Sequence, residues 1–321
     1  MPYSLFTKPY RTPADLIQDL KAKNLSFRNE PDAEKLLSQI SYYHFKIYLH
    51  PLIDKNGQNP KHYQNNTFFE TGVELYRFDE ELRSLMFKII AKIEVKLRSR
   101  LDHTISGISA DPFWYLNDSW FFTPGNNTRN IDSIRDRISS DFNREGEMYA
   151  KNFRSKYYNE SHDKYKNLPP FWIASELMSL GQVFKIYSAI DFSYFNGLSA
   201  PNNSALNNLA REFGARNYRV LVNWIQRIRD VRNRCAHHSR LWNAKLAAAS
   251  DINSLLTYMP TQTNRPYGTI VVVQQMIKSL QINSISLQQE LQILFQRYPA
   301  SVSYMSETGF PSNWSSDPFW I

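Results

Sequence analysis

Phe78, Leu82, Leu85, Ile89, Ile93 and Leu97 recur at spacings of three and four along YRFDEELRSLMFKIIAKIEVKLRSRL. Residues three and four apart share one face of a helix, so this recurrence lays a single apolar stripe down a helix of about five turns. Such a stripe has to be buried against other elements, and that ties the chain to a layered packing. Ten glycines in 321 residues leave little material for the turns of an all-β protein. The chain therefore reads as mostly α, above half helix. An N-terminal helical lobe over residues 1–70 is expected to pack on a larger helical core over 71–321 that carries a C-terminal extension.

Other segments carry their own start signals. Thr12-Pro13-Ala14-Asp15 offers an N-cap, a proline at the first helical position and an acid three residues after the cap, which predicts a helix to about Lys23. Asp32 is expected to open a second helix through LLSQISYYHFKIYL. Residues 54–67 read as a loop, and Asp111-Pro112 and Pro124-Gly125-Asn126-Asn127 bracket an aromatic connector. One or two basic helices are expected over 130–158, and another from Pro169-Pro170 through Tyr187. Ser204 caps a short helix, and the next begins near Asn217. NAKLAAASDINSLL and GTIVVVQQMIKSLQ read as helical, the second despite a β-branched run that favours strand. Ser284 is expected to cap a last helix through Arg297, followed by an irregular aromatic tail from Ser301.

Composition narrows function mainly by exclusion. Lys+Arg of 38 against Asp+Glu of 30 gives a net charge of +8, compatible with a polyanionic partner such as nucleic acid. Cys235 is the only cysteine, so there is neither an intramolecular disulfide nor a thiolate zinc site. No apolar run approaches the roughly 20 residues of a membrane span, and MPYSLFTKPYR lacks a signal-peptide core. A soluble cytoplasmic protein, without membrane association, is the expectation. Phosphate-binding glycine loops, H-E-x-x-H and G-x-S-x-G are all missing from the sequence, so nucleotide, zinc-protease and esterase chemistries have no foothold. His44, His50 and His62 lack clustered acids and read as ordinary polar or RNA-facing positions; no metal site and no cofactor is expected.

The segment WIQRIRDVRNRCAHHSRLWN concentrates the chemistry. Arg232, Asn233 and His237 supply a fixed cation, an amide and an imidazole within six residues. An imidazole can move protons near neutral pH, and a guanidinium can offset the charge of a phosphorane-like transition state. The set suits metal-free cleavage of RNA by its own 2′-OH. Leu221, Trp224, Ile225, Ile228, Val231 and Cys235 form the inward stripe, which places Arg232 in or beside it. A structural ion pair at Arg232 is the plainer alternative, because an unpaired buried charge is costly. Positions five apart lie about 140° apart on a straight helix. Arg232 and His237 therefore share a face only if the helix ends or bends between them; otherwise the site combines two copies of the chain.

The spacing Arg232-x4-His237 resembles the R-x4–6-H motif of the HEPN superfamily, many of whose members are metal-independent ribonucleases. The wider chain resembles the AbiD/AbiF abortive-infection family. That resemblance rests on KPYRTPADLIQDLKAKNL, LLSQISYYHFKIYLHPL, the long-stripe segment, LPPFWIASELMSLGQVFKIY, the motif region and GFPSNWSSDPFW in order, from about Lys8 to Trp320. It implies a HEPN-type helical core and a toxin-like endoribonuclease acting in phage defence. It also implies a homodimer with a composite active site, and it allows a bound regulatory RNA or a module that binds RNA without cutting it.

Several further residues are candidates around this motif. Glu94 and Glu176 border apolar rows and could pair with Arg232 or hold His237 in one tautomer; Glu176, within the family-like PFWIASELMSLG, is the first choice. Glu94 has the alternative of pairing with Arg98 one turn on. Asn233 would position the phosphate or cap the helix end, His238 takes a minor role, and Arg229 and Arg240 read as phosphate contacts. Cys235 is an apolar filler by its inward spacing. The row Lys88, Lys92, Lys96 and Arg100 forms a solvated face or a phosphate-contacting ridge. Tyr43 and Lys46, in the aromatic and basic run 42–48, either stack on RNA bases or belong to a helix packing its aromatics inward.

Overall fold

A computed structural model describes residues 5, 7, 9–56, 62–122, 131–192, 204–260 and 262–321. It is 65% helical, with no strand or sheet among the described residues. The chain packs as two compact units, residues 1–82 with 291–307, and residues 83–290 with 308–321. The turn expected at 124–127 lies outside the described residues, as do residues 57–61 of the loop at 54–67.

The stripe that opens the sequence lies on a helix of 41 residues, Phe69–Ser109. Phe78, Leu82, Ile89, Ile93 and Leu97 are all buried along it, while Leu85 is half-buried and Met86 takes its place in the core. The helix stops where Ala110 turns left-handed, at φ 52°, ahead of Pro112, which cannot continue it. It contributes residues 69–82 to the first unit and 83–109 to the second.

In the first unit, helix Pro13–Ala22 begins with the expected reciprocal box between Thr12 and Asp15. The second helix is Glu30–Gln39, capped by Asn29, whose side chain accepts from the Asp32 amide. It does not run on through Leu49 as the sequence suggested. Ile40 leaves the helix in an extended conformation, and the chain re-enters as a turn at Tyr42–Phe45 and a 3-10 segment at Lys46–Leu52. That change of direction buries Phe45, Tyr48, Leu49 and Leu52 and lets the Tyr48 hydroxyl donate to buried Asp79 at 2.6 Å. Gly72 is required at the close approach, since a Cβ there would lie 2.4 Å from Leu49 Cδ2.

In the second unit the motif helix, Tyr218–Ala236, packs against helices Leu180–Ala189, Ala205–Glu212 and Pro266–Ser279. Asn217 caps it, accepting from the Val220 amide, and the whole predicted inward stripe from Leu221 to Cys235 is buried. Two helices, Ile131–Arg144 and Met148–Lys156, occupy the 130–158 region; the first balances its arginines with aspartates, and only the second is basic. Asp317, fully buried near the C-terminus, accepts from the amides of Thr257 and Tyr258, and Trp314 and Trp320 pack edge to face at 5.1 Å.

Three expected helices differ here. The segment 170–187 breaks at Met178, because the Arg98 guanidinium takes the Met178 carbonyl at 2.7 Å and Ser179 with Gln182 forms a fresh capping box. The last helix starts at Leu287, with Ser286 rather than Ser284 accepting from the Gln289 amide. Residues 243–250 form an irregular strap instead of a helix. Their backbone groups are claimed from outside: Asn223 bonds the Ala248 carbonyl and the Ser250 amide, Trp224 Nε1 donates to the Ser250 carbonyl, and the Leu246 amide donates to Asn264. Side chains of the motif helix thus replace the strap's own i to i−4 ladder.

Ile93→Ala empties a fully buried position on the long helix and should cost about 3 kcal/mol. Val95→Ala, at a position 63% exposed, should change stability by less than about 0.5 kcal/mol. Urea midpoints of the two variants measure both.

Candidate functional site

The motif helix ends at the motif. His237 is its C-cap, and its amide donates to the Asn233 carbonyl. His238 adopts φ 53°, its amide donates to Cys235, and the Ser239 amide donates to Arg234 at 2.8 Å. These two bonds make a Schellman motif, in which the left-handed position usually holds glycine. Here a histidine holds it, strained by its Cβ. Arg83 donates to the His238 carbonyl at 3.3 Å and Arg234 to the Arg240 carbonyl at 3.2 Å, so two guanidiniums fasten the turn. His237 projects from it, exposed.

Arg232 and His237 do not meet within one chain. Arg232 turns to the long helix, with Nε 3.7 Å from Glu94 Oε2 and its guanidinium 5.8 Å from the centre of the Phe87 ring. Glu94 also accepts from Arg98, so one carboxylate with 8% of its side chain exposed faces two cations. Both pairings open to Glu94 are therefore made at once. Glu176 is exposed on the turn at Ser175–Leu177, in a groove with Arg98, Asp102, His103 and Trp172.

On the other side of the motif helix, Asp230, Asn233, Arg234 and His237 line an open groove of about 480 Å³ closed by Ser239, Lys245, Leu246 and Ala247. Asp230 lies seven residues before His237 and Asn233 four before it, so the three share a helical face. That spacing was available in the sequence and points to Asp230. Lys245 carried no such signal, because its segment reads as helix. Asp230 is engaged by Arg229 at 2.8 Å, and Arg229 lies over the Phe184 ring at 4.5 Å. Arg240 is half-buried behind the turn.

The remaining basic positions are spread more widely. Lys88, Lys92 and Lys96 are exposed, and Arg100 forms a two-pronged pair with Glu212 at 2.7 and 2.8 Å. Tyr43 is exposed with the Lys46 ammonium 4.4 Å from its ring centre, while Phe45 and Tyr48 of the same run are core. Arg227, unnoticed in the sequence, is fully buried on the motif helix, bonded to the Thr269 hydroxyl and the Arg265 carbonyl. Burial pushes its guanidinium down to about 10, so it remains charged at neutral pH. One group of potential metal ligands occurs among the described residues: Asp118, Asp132 and His162. The Arg135 guanidinium bonds both carboxylates and already supplies a cation there, and none of the three residues lines the His237 groove.

A family model described as Abi-like protein matches residues 35–243, which include the long helix, the break at Met178 and the whole motif. No curated protein and no solved structure matches the chain.

Glu94→Gln keeps the shape and removes the charge, leaving Arg98 and Arg232 facing each other. A loss of about 2 kcal/mol in chemical denaturation is expected, below the full cost of a buried orphan charge because both guanidiniums keep some solvent. His238→Gly relieves the left-handed backbone and should raise stability by about 0.5–1 kcal/mol in the same assay.

Proposed function

The chain belongs to the Abi-like family of abortive-infection proteins, and from that premise we propose that it is a metal-independent endoribonuclease acting as a toxin-type phage-defence effector. The observation that carries this reading is the exposed His237 imidazole, fixed at a fastened helix end beside Asn233 in an open groove that also holds Arg234 and Lys245. An imidazole so placed can take the proton of a ribose 2′-OH as the 2′-oxygen attacks the adjacent phosphorus. The bond to the 5′-oxygen then breaks, and that oxygen receives a proton, leaving a 2′,3′-cyclic phosphate and a 5′-OH. Asn233 positions the phosphate. The groove's single carboxylate, Asp230, is already paired with Arg229, so its side chains form no acidic ligand set for a cation.

Arg232 is the transition-state stabiliser of this reading, and it works across a dimer. Within one chain its guanidinium faces Glu94 and Phe87 rather than the groove, so it serves the His237 of a second copy. Glu94 is the residue that holds it in place. A second reading, in which the chain holds a regulatory RNA without cutting it, draws on the exposed row Lys88, Lys92 and Lys96 and on the exposed Tyr43–Lys46 pair.

His237→Ala should lower cleavage of total bacterial RNA in EDTA by about 10²–10⁴-fold and abolish growth toxicity, with the circular dichroism melt unchanged. Cut ends mapped as cyclic phosphates only in the wild-type reaction support the nuclease. Wild-type rates in the variant refute it, and intact RNA co-purifying with an inactive wild-type protein favours the second reading.

A further inference from the structure

The His237 groove has two walls, and only one of them is the motif helix. The other is the strap 243–250, irregular yet held along its length. Arg265 Nη1 donates to the Asn243 carbonyl at 2.9 Å, and the Leu246 amide donates to Asn264 at 2.8 Å. Asn223 and Trp224 fix Ala248 and Ser250 from the motif helix at 2.8–3.1 Å. Behind it, buried Arg227 takes the Arg265 carbonyl at 3.0 Å, and Gly268 sits where a Cβ would lie 2.7 Å from the Thr263 carbonyl. A segment without its own hydrogen-bond ladder is thus held by bonds from outside it, and Lys245 stands on it, in the groove, exposed.

The charged side chains around the groove are engaged to different degrees. Asp230 is paired with Arg229, Arg234 donates to the Arg240 carbonyl, and Arg232 faces Glu94. Arg234 has no acidic partner either, but its guanidinium is held by the Arg240 carbonyl, whereas Lys245 makes neither an ion pair nor a hydrogen bond among the described residues. An uncommitted ammonium opposite an imidazole and an amide suits an anion with oxygens to accept from it.

We propose that Lys245 is the phosphate-binding residue of this groove, holding a phosphate of single-stranded RNA against Asn233 and His237. The proposal rests on the RNA reading of the same groove and adds the cation that each copy supplies for itself. Its contribution is to substrate binding, whereas His237 moves the proton. A lysine serves here as a compact point charge, so arginine should replace it in binding.

The test separates this role from the nuclease reading by using a protein that does not cut. In the His237→Ala background, binding of a fluorescein-labelled oligouridylate is followed by anisotropy across a potassium chloride series. Adding Lys245→Ala should weaken binding about tenfold at low salt, in line with one charge-assisted contact. It should also lower the slope of log affinity against log salt by about 0.7, the value of one phosphate on a single strand. Lys245→Arg should restore both. Unchanged affinity and slope in Lys245→Ala would overturn the proposal even if wild-type protein cleaves RNA, and so would failure of the parent to bind the oligonucleotide. Weakened binding alongside a wild-type protein that never cuts would leave Lys245 in its role and remove the nuclease.

Discussion

A single carboxylate organises the second unit. Glu94, on the long helix, accepts from Arg98 and lies 3.7 Å from Arg232, and Arg98 reaches on to the Met178 carbonyl. Long helix, motif helix and the break before Leu180–Ala189 are therefore joined through one negative charge. Such a cluster is costly to assemble, since each ion gives up part of its water, and two cations on one anion leave a net positive charge that only partial solvation offsets. It persists because each group constrains the others: Arg98 cannot leave without exposing an unsatisfied carbonyl, nor Glu94 without orphaning two guanidiniums. Geometric definition is the return on this cost. The buried stripe from Leu221 to Cys235 sets the rotation of the motif helix, the Arg232–Glu94 pair ties it to the long helix, and Asn233 and His237 are left open to solvent.

The end of that helix follows the same logic on a smaller scale. A Schellman turn closes at His238 without the glycine that would relax it, and Arg83 and Arg234 hold the carbonyls of His238 and Arg240. Cations near the carbonyl end of a helix are electrostatically favourable, and here they also keep a strained residue in place. His237, the C-cap, stands where the helix gives way to this turn, and the strap carrying Lys245 lines the same groove.

What the sequence made legible follows from how local each determinant is. The stripe from Phe78 to Leu97, the Thr12 box, the Asn217 cap and the inward row from Leu221 to Cys235 are set by neighbours within a turn or two, and all could be read directly. The breaks at Ile40 and Met178 and the strap at 243–250 depend on Asp79, Arg98, Asn223 and Trp224, distant in sequence, which no local pattern announces. Ser179-x-x-Gln182 is an exception, a capping box that was legible and went unread. At the site, the 140° argument left open whether a helix end would bring Arg232 and His237 together; the helix ends at Ala236, and Arg232 faces Glu94 while His237 lines the groove. Glu94 and Glu176 sat on similar apolar rows, and only tertiary packing distinguishes the carboxylate that meets Arg232 from the one left in solvent.

The separation of Arg232 from His237 also bears on why the proposed enzyme would need two copies. Under the proposed function, a helix that turns Arg232 to the long helix and His237 to the groove would hold two half-sites and no complete one. Two-fold association makes equivalent contacts in both directions, so an axis passing near the helix end would bring each Arg232 to the other copy's His237 and complete two sites together. Lys245, by contrast, lies on the same side as His237 in a single chain. On this reading a lone copy can hold RNA but lacks the group that stabilises the transition state. Binding and cutting then become separable properties of one motif, with assembly as the step that converts the first into the second.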